Sequence, residues 1–208
     1  MTATFETPGH LVVAGRGEAV DARRDRFKLP AIKAIRYADP AAWLTANAVA
    51  NAIEASGREL CHDRTGVVVT SAEGPAEATA AMNEAARQGS SSPIRFPASN
   101  AGSLAGLTSI AFTFRGPTLM LTMPPARGVP VALLLARAWL LRGVAEHMVV
   151  AAHGTPVGGR ALARCLLLGA EGTPFDPARD EAWLAGALGA LGALGAVGAV
   201  GAVGVTAP

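Results

Sequence analysis

Four histidines and two cysteines are the side chains best equipped to act as a base, a nucleophile or a soft metal ligand: His10, His62, His147, His153, Cys61 and Cys165. Their spacing matches neither a metal-ligand pattern nor a disulfide framework. His153 stands apart because it follows the apolar run His147–Ala152, at the strand end where α/β sheets gather their sites. A histidine there can serve as a general base. No Ser, Cys or carboxylate set accompanies it in the nearby sequence, so a loop histidine is the plainer alternative. Cys61, just past a helical stretch, and Cys165, inside the apolar run Ala163–Leu168, read as structural thiols. Ser90, Ser91 and Ser92 offer three hydroxyls in what reads as a solvated loop. No phosphate-cradling glycine loop is present, and no cofactor or metal is expected.

A position without chemistry is more informative. Arg115–Leu141 reads as a buried strand (Thr118–Met123), a sharp turn and a helix with almost no polar face. Only Arg127, Arg137 and Arg142 interrupt the helical pattern before Gly143 ends it. Such strand-to-helix elbows hold the nucleophile in many acyl-transferring enzymes, because the helix N-terminus favours a thiolate or an oxyanion. Here the elbow holds Pro125, which has neither a nucleophile nor an N–H to give an oxyanion, yet suits the first turn of a helix. The elbow is architecture emptied of chemistry.

The elements around it alternate. Leu11–Ala14 predicts a short strand, and the charged stretch Glu18–Lys28 an exposed loop. Asp39-Pro40 opens a helix running to Ser56, with Gly57 as its stop. Trp43, Ala46, Val49, Ala50 and Ile53 form that helix's buried stripe. Thr65–Thr70 is a central strand, with Ser71–Gly74 as the loop after it. Helices follow from Pro75 to about Gln88 and from about Ala101 to Phe112, the latter capped by Ser99 or Asn100. His147–Ala152 and Ala161–Ala170 are further strands. Strands and helices in turn imply an α/β fold with a mixed, mostly parallel sheet and helices on both faces.

Three parts are expected: residues 1–38, a strand and loop; 39–170, the main domain; and 171–208, a linker and low-complexity tail. From Gly186 to Gly204 glycine recurs at every third position. That period makes no stable apolar helix face, and a membrane anchor is not expected. The net charge of +2, with no basic run, argues against nucleic acid as a partner. The N-terminus lacks the basic and apolar regions of a signal peptide, which implies a cytoplasmic setting.

Residues 64–153 resemble the N-terminal half of the β-ketoacyl synthases, condensing enzymes of the thiolase fold. The matching pieces are Arg64–Thr70, the helix after Gly74-Pro75, Phe96–Asn100 with Ala101-Gly102, Phe114–Pro117, the helix Gly128–Leu141 and the strand His147–Ala152. In the active enzymes an Ala-Cys-Ala-Ser-Gly elbow follows the Arg-Gly-Pro strand. Counted without gaps from Arg115, the cysteine falls on Pro125 and the glycine on Gly128. The resemblance implies a degenerate elbow at Pro125, Ala126 and Gly128. It places Asn100, Thr118, Met123 and His153 on the substrate side or at an interface. The family's two histidines belong to a C-terminal half that this sequence does not show. The implied role is a non-catalytic ketosynthase-like protein in fatty-acid or type II polyketide assembly. Its partner would be an active ketosynthase, a second copy or an acyl carrier protein. The alternative is an acyltransferase with a relocated nucleophile among Ser90–Ser92, Thr122 and Cys165. The resemblance also implies that one face of Val129–Leu141 is left uncovered for a second copy, a synthase partner or the apolar tail to cover, and that the Thr118–Met123 strand pairs across a dimer.

Overall fold

The computed structural model describes residues 11–29, 33–90, 92–156, 158–186 and 188. Its elements run β1 (Val12–Ala19), α1 (Pro40–Ser56), β2 (Thr65–Thr70), α2 (Ala76–Arg87), α3 (Ser103–Phe112), β3 (Thr118–Leu121), α4 (Pro125–Leu141), β4 (His147–Gly154), β5 (Leu162–Gly169), β6 (Thr173–Pro174) and α5 (Pro177–Ala185). One six-stranded sheet has the order β3-β2-β4-β5-β1-β6.

The fold is α/β. The neighbours β3, β2 and β4 are parallel because each is reached through a helix. No helix separates β4 from β5, and they pair antiparallel, as do β5 with β1 and β1 with β6. Two apolar layers sandwich the sheet. On one face α1 and α3 pack through Trp43, Val49, Leu104 and Leu107 against Val67, Val69, Val149, Ala151 and Leu167. On the other, α4 and α5 pack through Val129, Leu133, Ala136 and Leu184 against Val68, Val150, Leu166 and Leu168. Alternate residues of β2 and β4 serve opposite layers, as a pleated strand buried on both faces requires.

The Asp39-Pro40 start of α1 is realised: the Asp39 carboxylate accepts from the Ala41 N–H at 2.8 Å with one oxygen. The other oxygen accepts from the Ala78 N–H at 2.8 Å, tying α1 to the first turn of α2. Gly57 closes the helix at φ 62°. α1 is buried nearly all round because β1 lies directly against it. A Cβ on Gly17 would sit 2.1 Å from the Ala48 carbonyl oxygen, so only glycine lets strand and helix approach so closely. For that reason β1 continues past Gly15 to Ala19 and does not stop at Ala14. The Glu18–Lys28 stretch is correspondingly not all exposed loop. Ala19 is buried, and the Phe27 ring lies 6.0 Å from Trp43 and 5.7 Å from Phe112.

Two further expectations change, those for β3 and for Glu171–Asp180, while α4 leaves one face uncovered as the resemblance implies. β3 lies at the open edge of the sheet, exposed to half-buried, where its apolar run suggests a buried strand. α4 is apolar nearly all round but is covered on one side only: Val129, Ala132, Leu133 and Ala136 are buried, while Leu134 is 66% exposed. The turn-rich Glu171–Asp180 stretch holds the start of α5, capped by Asp176, whose carboxylate accepts from Ala178 and Arg179 N–H. The Asp180 carboxylate, fully buried, pairs with Arg16 of β1 at 2.6 Å and with Arg179 at 3.0 Å. Leu184 and Leu188 then enter the core. The glycine repeat beyond residue 188 lies outside the described residues. No helix among the described residues is long and apolar enough to cross a membrane.

Candidate functional site

The C-terminal ends of the parallel strands β3, β2 and β4 lie together at one end of the sheet, and the elbow follows β3. β3 ends at Leu121, three residues of turn follow, and α4 begins at Pro125. Pro125 occupies the first helical position and is buried, and Pro124 precedes it with φ −55° and ψ 139°. The Pro124 carbonyl accepts from the N–H groups of both Arg127 and Gly128 at 2.9 Å, closing the first turn. Thr70, the last residue of β2, donates its hydroxyl to the Met123 carbonyl at 3.1 Å. Gly128 faces that same side chain. A Cβ there would come within 1.9 Å of Thr70 Oγ1 and 2.8 Å of Thr70 Cβ. The helix is thus drawn down onto the strand end, and glycine at 128 is what permits it.

A second group lies on the β4 side of the same strand ends, where Ser71 directly follows Thr70 and donates its N–H to the Leu121 carbonyl at 3.1 Å. His153, 3% exposed, places Nδ1 3.0 Å from Ser71 Oγ. Ser71 Oγ also accepts from the Gly74 N–H at 3.0 Å. The hydroxyl keeps its proton and a second lone pair, so the imidazole tautomer sets which atom donates between Ser71 Oγ and His153 Nδ1. Burial lowers the His153 pKa, and the Glu73 and Asp39 carboxylates only partly oppose it. Glu73 accepts from both the N–H and the hydroxyl of Thr155 at 2.9 Å, fastening the 71–74 loop to the end of β4. Asp39 is committed to two backbone amides, so neither carboxylate orients the imidazole by a direct bond.

The residues singled out from the sequence separate into groups. Pro125, Ala126, Gly128 and Met123 form the elbow, and His153 lies at the same end of the sheet. Thr118 is at the opposite end of β3, where its hydroxyl lies 3.1 Å from that of Ser109. Asn100 accepts from the Gly102 N–H at 2.8 Å in the turn before α3, whose N-cap is Gly102 with no side-chain cap bond, so neither Ser99 nor Asn100 caps the helix as expected. Asn100 borders an apolar groove of about 590 Å³ between the Lys33–Tyr37 and Phe96–Ser99 turns and α3. Ser71 is the residue sequence reasoning missed. It follows the TGVVVT strand directly, but its partner is 82 positions away.

The candidates for a relocated nucleophile, Ser91 apart, have definite settings, and Ser92 is half-buried. Cys165 is buried in β5, where burial pushes its thiol far above the ordinary value. Ser90 and Thr122 are exposed, and Ser91 lies outside the described residues. Ser71 carries the geometry of a serine–histidine pair but is fully buried. Among the described residues no group of three or more His, Cys, Asp or Glu side chains could hold a metal.

This architecture has known counterparts. The family model for the β-ketoacyl synthase N-terminal domain matches residues 14–193. The chain belongs to that family. Solved structures of the same fold include the ishigamide ketosynthase/chain length factor, with a TM-score of 0.59, 18% identity, and coverage of 78% of this chain and 62% of that one. The ketosynthase ApeO in complex with its chain length factor ApeC, from Xenorhabdus doucetiae, has a TM-score of 0.56 and 14% identity, covering 78% and 80%. A β-ketoacyl synthase from Burkholderia phymatum STM815 has a TM-score of 0.60 and 15% identity, covering 86% and 61%. The chain therefore spans less than two thirds of the length of the first and third of these. A search of curated sequences finds no significant match.

Proposed function

We propose that this chain is a non-catalytic member of its family. It assists fatty-acid or type II polyketide assembly by pairing with an active ketosynthase, with an acyl carrier protein as a further partner, and it works in the cytoplasm. The observation that carries this is Pro125 at the first turn of α4. A nucleophile at that point would have the helix dipole behind it and Gly128 and Thr70 setting its position. Proline removes the attacking atom and one N–H together. Ser71 does not replace it. Buried and accepting from Gly74, it buttresses a loop. Solved relatives in which a ketosynthase is complexed with a chain length factor support a pairing role. The half-exposed edge strand β3 and the uncovered side of α4 provide surfaces for it.

Incubation of the purified chain with acyl and malonyl thioesters, read by intact mass, tests the non-catalytic half of the proposal. The expected result is an unchanged mass. A stoichiometric acyl adduct, mapped to any residue, would overturn it and favour the acyltransferase alternative.

A further inference from the structure

Between Glu84 and Glu146 the sequence contains no Asp or Glu, and it contains six arginines. This segment forms the β3 side of the molecule: α3 on one face, α4 on the other, and β3 between them. Of the nine large hydrophobic residues exposed among the described residues, seven fall in it: Ile94, Phe96, Ile110, Val131, Leu134, Leu141 and Val144. Apolar exposure and the absence of carboxylates coincide on the same stretch of chain.

The coincidence is sharpest on α4. Its buried side uses Val129, Ala132, Leu133 and Ala136. Its outward side carries a second stripe, Arg127, Val131, Leu134, Ala138 and Leu141, at intervals of four and three residues, the spacing of one helix face. Leu134 at 66% exposed is its centre, flanked by Val131 and Leu141, each 40% exposed. Arg127 opens the stripe, Arg137 borders it and Arg142 follows its end, all three exposed. Among the described residues none of the three has a salt-bridge partner, whereas Arg58, Arg64, Arg87 and Arg115 all do.

We propose that the outward face of α4 is a docking surface for an amphipathic helix of a different chain, with an apolar stripe bordered by carboxylates. Arg127 and Arg137 are ten residues apart, about 15 Å along the axis, so the matching carboxylates lie about ten residues apart on the partner helix. A second copy of this chain is the poorer occupant. A two-fold contact through α4 would bring the arginine-bordered stripe of one copy onto that of the other, with no acidic residue on either helix to offset it. The inference rests on the pairing role above and names the surface and partner chemistry that role uses.

Two fluorophore-labelled helical peptides test it on the full chain, identical in their leucine stripe and bordered either by glutamates or by lysines. Anisotropy titrations are expected to show the glutamate peptide binding at least about tenfold more tightly, with the difference shrinking as salt screens it. The double variant Arg127→Glu/Arg137→Glu should reverse the preference, and Leu134→Asp should weaken both peptides. These are exposed positions, and circular dichroism checks that the variants are folded. Equal affinity for the two peptides, no binding, or a preference that survives the charge reversal overturns the proposal. So does a dimer of the chain that Leu134→Asp converts to monomer. A ketosynthase complex untouched by Leu134→Asp refutes this surface and leaves the pairing role standing. Peptide discrimination without any ketosynthase complex does the reverse.

Discussion

Replacing Gly128 with alanine separates two opposite expectations. In an open helix the change removes glycine's backbone freedom and stabilises by about 1 kcal/mol. At this elbow the new methyl would lie 1.9 Å from Thr70 Oγ1, 2.8 Å from Thr70 Cβ and 3.1 Å from Met123 Cγ. Thr70 has little room to yield. It is fully buried, sits on a strand paired on both sides, and donates its hydroxyl to the Met123 carbonyl. Overpacking of this kind costs about 1–3 kcal/mol, and clashes this short belong at the upper end. The net expectation is a loss of about 1–2 kcal/mol, the steric cost exceeding the gain in propensity. Urea unfolding of Gly128→Ala, Thr70→Ala and the double variant measures it. Thr70→Ala removes the hydroxyl that makes the shortest contact and should rescue part of the loss, giving a coupling of about 1 kcal/mol. A Gly128→Ala protein as stable as the parent, or strict additivity in the cycle, would show that helix and strand end do not meet as described.

Two other perturbations address the site's surroundings. Burial holds His153 and His147 below the ordinary imidazole pKa, so the unfolded chain takes up protons before the folded one does. Stability should therefore fall as pH drops below about 6.5 toward the folded-state values, and His153→Gln should flatten part of that slope in urea unfolding at a series of pH values. Burial alone would raise the Asp180 carboxyl, but its bonds from Arg179, the Asp176 amide and Arg16 outweigh this and hold it low. Asp180→Asn should cost about 1–3 kcal/mol and speed hydrogen exchange in α5 ahead of the sheet. Exchange that rises equally everywhere would argue against α5 as a charge-fastened element.

Much of the architecture was legible because strong local signals agreed with packing. Asp39-Pro40 and Gly57 bounded α1, and the uninterrupted TGVVVT and HMVVAA runs marked strands covered on both faces. The failures have physical causes. Gly15 and Gly17 look like turn residues but are points of close approach inside β1. Asp176-Pro177 repeats the Asp-Pro signal that opens α1, yet its helix merges into the glycine repeat and its short apolar face is hard to see. The antiparallel turn of β5 follows from the short β4–β5 connection, a feature of topology that periodicity does not report. At the site, Pro125 and Gly128 could be placed because they are neighbours in sequence. Ser71 and His153 could not be paired before the parallel strands brought positions 82 apart to one end of the sheet.

The pairing role itself is tested most directly by sedimentation velocity of this chain mixed with candidate intact ketosynthases, at micromolar concentration. The expected result is a single faster species of defined stoichiometry that neither component forms alone. Two independently sedimenting boundaries at every mixing ratio would contradict the account.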